Sequence, residues 1–303
     1  MIAYLFPGQG AQTAGFLHRV GGDKPHPTIA RTYAEASDAL NEDILQLDHA
    51  DALASTVAVQ ITLVAAGVAA ARSLAEEGIK PEAVASLSVG AYGAAVVAGA
   101  IDFADALTLV RLRARLMQDA YPRDYGMLAV LGLNERDIAR VIADSHADAY
   151  IGNLNAPRQI VVSGSDEALE RGARKAERLA VSVPSHCVLL EEAAARLTET
   201  AGNVTLHKPR IAYIGNRGAR VLRHADAVRD DLATNLRYPV RWHDSTIALA
   251  ELGATCFVEM PPGQSLTQLA ADALPDTPAF AMDASPVASI AARVRAARQR
   301  AAD

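Results

Sequence analysis

The 303-residue chain has only two cysteines, Cys187 and Cys256. That is too few for a disulfide-stapled scaffold or a Cys-rich zinc module, and it suits a reducing cytoplasm. A cationic excess is also missing: 29 Lys and Arg stand against 35 Asp and Glu, a net charge of −6. Broad nucleic-acid binding needs a dominant cationic face, so that class is excluded, whereas a local basic pocket for one anionic ligand is not. No pair among the eight histidines has metal-ligand spacing, and no metal site is expected. The opening MIAYLFPGQG has neither a basic stretch nor a long apolar run, so it does not read as a signal peptide. Leu53 to Ala71 carries no charge. It is rich in Ala, with Ser, Thr and Gln interspersed, and reads as a buried core helix rather than a membrane span.

What is present is a globular composition, 50% hydrophobic and 21% charged. Short apolar runs ended by turn residues predict strands at Ile2 to Phe6, Ala83 to Leu87, Arg210 to Ile214 and Thr255 to Met260. Helices are predicted over Thr28 to Leu40, Ser55 to Glu77, Ala91 to Ala98, Asp226 to Asn235, His243 to Leu252 and Ser265 to Ala273, with an Ala/Arg-rich one at the C-terminus. Asp102, with Asp105 three residues on, looks like a capping-box variant opening a helix to about Ala120. The middle of the chain differs. Strands at Met127 to Leu133, Ala149 to Leu154, Gln159 to Ser163 and Ala180 to Val183 alternate with helices at Glu135 to Ala143 and Asp166 to Leu179. That β-α-β-β-α-β order is the ferredoxin-like split unit. The expected fold is α/β: a large α/β-hydrolase-like domain with a parallel sheet, residues 1–124 and 184–303, and an inserted ferredoxin-like subdomain, residues 125–183.

Four places can carry chemistry. Ser88, in Ser86-Leu87-Ser88-Val89-Gly90, lies between a strand and a small-residue helix, the context of a nucleophile elbow. The Val89 N–H, at that helix's N-terminus, can serve as an oxyanion donor. The plainer reading of Ser88 is an N-cap. Arg113 falls on the apolar stripe of its helix, with Leu109, Val110, Leu116 and Met117, while Arg111 and Arg115 lie on the other side. A buried guanidinium needs an anion, either a structural carboxylate or a substrate's, unless the side chain snorkels along the stripe to water. His186, in Val183-Pro184-Ser185-His186-Cys187, sits where the chain returns from the insert and is a candidate base, although a lone histidine is more often a polar bystander. Gln9, bracketed by Gly8 and Gly10, stands at a strand's C-terminal end, where clefts form in open α/β sheets; a plain turn is the alternative.

Together these segments resemble the malonyl-CoA:acyl carrier protein transacylase family over nearly the full length. Phe6 to Gln12 resembles its F-P-G-Q-G-x-Q, the Ser88 segment its G-H-S-x-G, Asn153 to Gly164 its N-x-x-x-Q-x-V-x-S-G, and Val183 to Cys187 its histidine segment. Ala98 to Ala106, Tyr238 to Trp242 and Val258 to Gly263 match further blocks. The resemblance implies Ser88 as acylated nucleophile, His186 as base and the Asn235 carbonyl as the group orienting the imidazole. It also implies Gln9 and the Val89 N–H as oxyanion hole, with Arg113 and Asn155 as substrate-binding residues. It further implies malonyl-CoA as substrate, no permanently bound cofactor, and an acyl carrier protein as partner. The chain departs from the family pattern at Ser86, Leu87, Ala91 and Ser185, where Gly, His, an acidic residue and Phe are usual. With SLSVGAY, SVPSHC and VEMPPG, this points to the malonate decarboxylase epsilon-subunit branch, whose partners are the other subunits of that enzyme. Alternatives are a fatty-acid or polyketide transacylase, a serine thioesterase or esterase, and a scaffold that only docks a carrier.

Overall fold

The computed structural model describes residues 1–303 except 23–25, 122, 173–175, 180, 182, 284 and 302–303. Among the described residues ten strands form two sheets. They are β1 (Ile2–Phe6), β2 (Ala83–Ser86), β3 (Tyr125–Leu131), β4 (Ala149–Ala156), β5 (Gln159–Ser165), β6 (Ala176–Arg178), β7 (Ala212–Ile214), β8 (Val221–Leu222), β9 (Cys256–Glu259) and β10 (Ala279–Ala281). β1 is apolar throughout and β2 as far as Ala85, without alternation, and both are buried at every position, as strands covered on both faces must be. The larger sheet has the order β10-β9-β1-β2-β7-β8. It is parallel except for the short edge strand β8. One face carries a core containing Tyr4, Phe6 and the helix Thr56–Glu76; the other packs Leu5 and Phe257 against Trp242 and Leu249.

Thr56–Glu76 is long and apolar enough to cross a membrane by composition, yet 89% of its most apolar stretch is buried inside the protein. Ser55 starts it, its hydroxyl accepting the Val57 N–H at 3.2 Å. The helix Phe103–Ala120 begins at Asp102, but the Asp102 side chain makes no capping bond. The expected capping box is therefore not formed.

The second sheet is antiparallel, with the order β4-β5-β3-β6. This is the ferredoxin-like arrangement, with helices Glu135–Ser145 and Asp166–Gly172. Its last part differs from the sequence expectation. The second helix is described over Asp166–Gly172, residues 173–175 lie outside the described residues, and Ala176–Arg178, expected as the helix's last turn before Leu179, are strand instead. The closing strand is β6, paired with Leu128 to Val130, rather than 180–183. Residues 180 and 182 lie outside the described residues, and Val181 and Val183 are not in a strand. β6 is a charged edge with Glu177 and Arg178 exposed, a composition without the apolar signature of an inner strand. The two sheets are joined through Val240, which accepts the Leu154 N–H and donates to Gly152 O, both at 2.8 Å.

Candidate active site

The middle strands β1, β2 and β7 end side by side, delivering Gln9, Ser88 and Asn216 to one rim of the sheet. The Leu87 N–H still reaches Phe6 O at 2.9 Å. The chain then turns sharply. Ser88 has φ +59°, a left-handed conformation uncommon for a residue with a side chain, and the helix Gly90–Val97 follows at once. The turn fits because position 90 has no side chain: a Cβ there would lie 2.3 Å from Phe6 O. The N–H groups of Gly90, Ala91 and Tyr92 go to the carbonyls of Leu87, Ser88 and Val89, and the Ser88 N–H goes to Asn216 Oδ1. The Val89 N–H is left without a partner among the described residues, at the positive end of a helix.

His186 follows the insert and also has positive φ, +62°. Its N–H is held by Leu236 O at 2.7 Å, and the residue is 1% exposed. Nδ1 lies 2.7 Å from the Asn235 carbonyl and Nε2 lies 2.7 Å from Ser88 Oγ. A carbonyl can only accept, so Nδ1 carries the proton and Nε2 offers its lone pair to the serine hydroxyl. Burial, and then the Arg113 charge, push the imidazole pKa down to about 3 against the opposing Asn235 bond. At neutral pH the ring is therefore an uncharged base.

Arg113 is completely buried. Nη1 donates to Gln60 Oε1 at 2.6 Å; Nη2 donates to Ser88 Oγ at 3.1 Å and to Asn235 Oδ1 at 3.3 Å. Nε has no partner, and no carboxylate among the described residues pairs with this guanidinium. The structural-salt-bridge alternative thus finds no support here. Burial lowers its pKa to about 10, which still leaves a cation at pH 7. Arg113 can only donate, so Gln60 turns Oε1 toward it and Nε2 toward Gln9 Oε1, 2.9 Å away. That in turn leaves the Gln9 NH2 group free to face an oxyanion.

Gln9, Leu87, Asn155, Gln159 and Gln268 line a cleft of about 290 Å³ between the two sheets. Asn155 Oδ1 is buried there without a hydrogen-bond partner. Ser88, His186, Asn235 and Arg113 are thus in direct contact, Gln9 joins them through Gln60, and Asn155 stands in the cleft. No metal-binding cluster occurs among the described residues. Sequence reasoning missed Gln60 and Asn216. Gln60 was readable as the one amide in the uncharged stretch Leu53 to Ala71, where a buried polar group must find a partner. Asn216 was readable as the residue following a parallel strand, as Gln9 and Ser88 do.

The sequence profile of the acyl transferase domain family matches residues 3–299. The chain belongs to this family. The malonyl CoA-acyl carrier protein transacylase of Escherichia coli (strain K12) is 38% identical over 283 residues, which cover 88% of this chain and 91% of that protein. The structure of an acyl carrier protein S-malonyltransferase from Vibrio cholerae superposes with a TM-score of 0.86 at 34% identity, covering 92% of this chain and 96% of that one. A type II polyketide synthase acyl-carrier protein in complex with its malonyl-transacylase gives 0.88 at 34% identity, covering 96% and 98%. Within this acyl transferase the unusual residues have definite places. Leu87 lies against Gly8, where an added Cβ would meet Leu87 Cδ2 at 2.7 Å. Ser185 is clasped by Ser163, whose Oγ donates to Ser185 O at 2.5 Å and accepts its N–H at 3.2 Å.

Proposed function

We propose that the chain moves malonyl groups from malonyl-CoA to the thiol of an acyl carrier protein. Ser88 Oγ attacks the thioester carbon as His186 Nε2 takes its proton. The carbonyl oxygen, now negative, faces the Val89 N–H and the Gln9 amide. The imidazolium returns the proton to the departing CoA sulfur, leaving a malonyl ester on Ser88. The carrier thiol then attacks that ester, giving its proton to His186, which passes it back to Ser88 Oγ. Asn155 binds the substrate arm in the cleft. The site uses only side chains and backbone of the chain, with no resident cofactor. We assign the catalytic domain to residues 1–124 and 184–303 and the smaller subdomain to 125–183.

The observation that carries this reading is the fully buried Arg113, without a carboxylate partner among the described residues and 3.1 Å from the nucleophile. A hydrolase of neutral esters gains nothing from that cation; a malonyl carboxylate completes it. Arg113→Ala should cut malonyl transfer by about 2–5 kcal/mol in discrimination, while sparing acetyl transfer. Arg111, bonded to Leu40 O and Glu42 on the helix's other side, is the control. Competing acylation by malonyl-CoA and acetyl-CoA decides it, and an unchanged ratio in Arg113→Ala refutes the assignment.

The acceptor we propose is the carrier subunit of malonate decarboxylase, acting with the other subunits of that enzyme in the cytoplasm. Ser86, Leu87 and Ser185 support this branch over the fatty-acid and polyketide transacylases. Offering two carriers, one bearing phosphopantetheine and one bearing the phosphoribosyl-dephospho-CoA group, separates them: preference for the second is expected, and preference for the first returns the enzyme to fatty-acid or polyketide synthesis.

A further inference from the structure

Outside the dyad, a run of buried polar contacts ties the Ser88 turn to the strand beside it. One side-chain amide spans the turn. Asn216 Oδ1 accepts the Ser88 N–H at 2.8 Å, and Asn216 Nδ2 donates to Ser86 Oγ at 3.0 Å. The Asn216 N–H is itself held by Asp231 Oδ1 at 2.8 Å, and Asp231 Oδ2 accepts from the Tyr213 hydroxyl at 3.1 Å. Ser86, Asn216, Asp231 and Tyr213 are all buried.

We propose that Asn216, through its paired bonds to Ser86 and Ser88, is a positioning residue that holds the nucleophile's backbone in its left-handed conformation. The proposal rests on the reading of Ser88 as the acylated residue. A non-glycine residue at positive φ costs about 1–3 kcal/mol and persists only where its surroundings over-determine it. The bond to the Ser88 N–H acts on the strained residue itself. The orientation of the amide is fixed by chemistry: a backbone N–H can only donate, so Oδ1 faces Ser88 and Nδ2 faces Ser86. A glycine at position 86 offers Nδ2 nothing, so the serine there gives the turn a second attachment. Asp231 fixes the backbone from which the amide projects. Asn216 makes no hydrogen bond to Arg113 or Gln9, so its loss acts on the nucleophile's backbone and leaves in place the groups proposed to bind the malonyl arm.

The test is single-turnover acylation by malonyl-CoA, quenched and read by intact mass, on Asn216→Ala, Ser86→Ala and the double variant. Asn216→Ala should slow the maximal acylation rate about 10–100-fold, the scale of a small misplacement of a reacting group, with malonyl-CoA affinity unchanged. Ser86→Ala should slow it a few-fold, about threefold, and add nothing in the Asn216→Ala background, because both changes break one shared bond. Parental acylation rates in folded Asn216→Ala and Ser86→Ala, a loss confined to affinity, or additive losses overturn the proposal. If Asn216→Ala does not fold, Ser86→Ala decides alone: a parental rate overturns the paired attachment, and a slower rate at unchanged affinity supports it. An absence of any Ser88 adduct in the parent protein refutes the underlying reading instead, which keeps the two failures distinguishable.

Discussion

At the scale of single residues, the site works by restricting what each polar group can do. The Asn235 carbonyl accepts only, so His186 is held in the tautomer whose Nε2 is free for Ser88. Burial lowers the imidazole pKa to about 3 from the usual 6.5, which favours the neutral form. Because the pKa is lowered, the base form persists as pH falls. The rate of Ser88 acylation at low malonyl-CoA should therefore stay nearly flat from about pH 7 to pH 5, where an unperturbed histidine would already have lost most of its activity. A half-drop near pH 6.5 in a pH series of kcat/KM contradicts this. The Asn235 side chain has its own contact, a 3.3 Å bond from Arg113. Asn235→Ala should cost about tenfold or less, falling more on malonyl than on acetyl, because the orienting carbonyl remains. His186→Ala should cost about a hundredfold or more. Equal losses in the two variants, measured side by side, would show that the Asn235 side chain does more than steady Arg113. Ser88 and Arg113 stood out as candidates because a nucleophile turn and a charge on an apolar stripe leave side-chain signatures, whereas a lone histidine does not, and His186 took its proposed role from the family resemblance. The role of Asn235 was legible only through family resemblance, since a backbone carbonyl has no signature in sequence.

At the scale of elements, parallel strands bring distant segments to one rim, and helix ends are fixed by buried polar groups. Glu259, at the end of β9 and fully buried, accepts the Leu266 N–H at 3.0 Å and the Thr267 N–H at 2.6 Å. It thus caps the helix Ser265–Ala273, which supplies one wall of the cleft. Removing it leaves one buried and one partly buried donor unpaired. Glu259→Ala should destabilise the fold by about 3 kcal/mol and Glu259→Gln by less, because the amide retains one acceptor oxygen. Urea unfolding of both variants checks the order; a loss below about 1 kcal/mol in Glu259→Ala would mean that water replaces the carboxylate. The inner strands β1, β2 and β9 were readable as short apolar runs. β8 and β10, of two and three residues, and the charged β6 were not, since edge strands need no continuous apolar face. The helix Glu191–Ala201 was also missed; its buried stripe is mainly Ala, with Leu197 the one large side chain.

At the scale of the whole molecule, the small antiparallel sheet forms part of the frame of the site. It closes one side of the cleft with Asn155 and Gln159, and through Ser163 it clasps Ser185 next to His186. The β-α-β-β-α-β order was readable because periodicity changes within the chain, whereas contacts such as Ser163 to Ser185 depend on register and have no sequence signal. The central claim is that this frame presents Ser88 to a malonyl thioester and then to a thiol rather than to water. Intact-mass spectrometry after brief exposure to malonyl-CoA tests it most directly. The account predicts a single malonyl adduct on Ser88, absent from Ser88→Ala, stable in buffer and discharged when a carrier thiol is added. No adduct in the parent protein, an adduct that survives in Ser88→Ala, or loss to buffer as fast as to the thiol would contradict it.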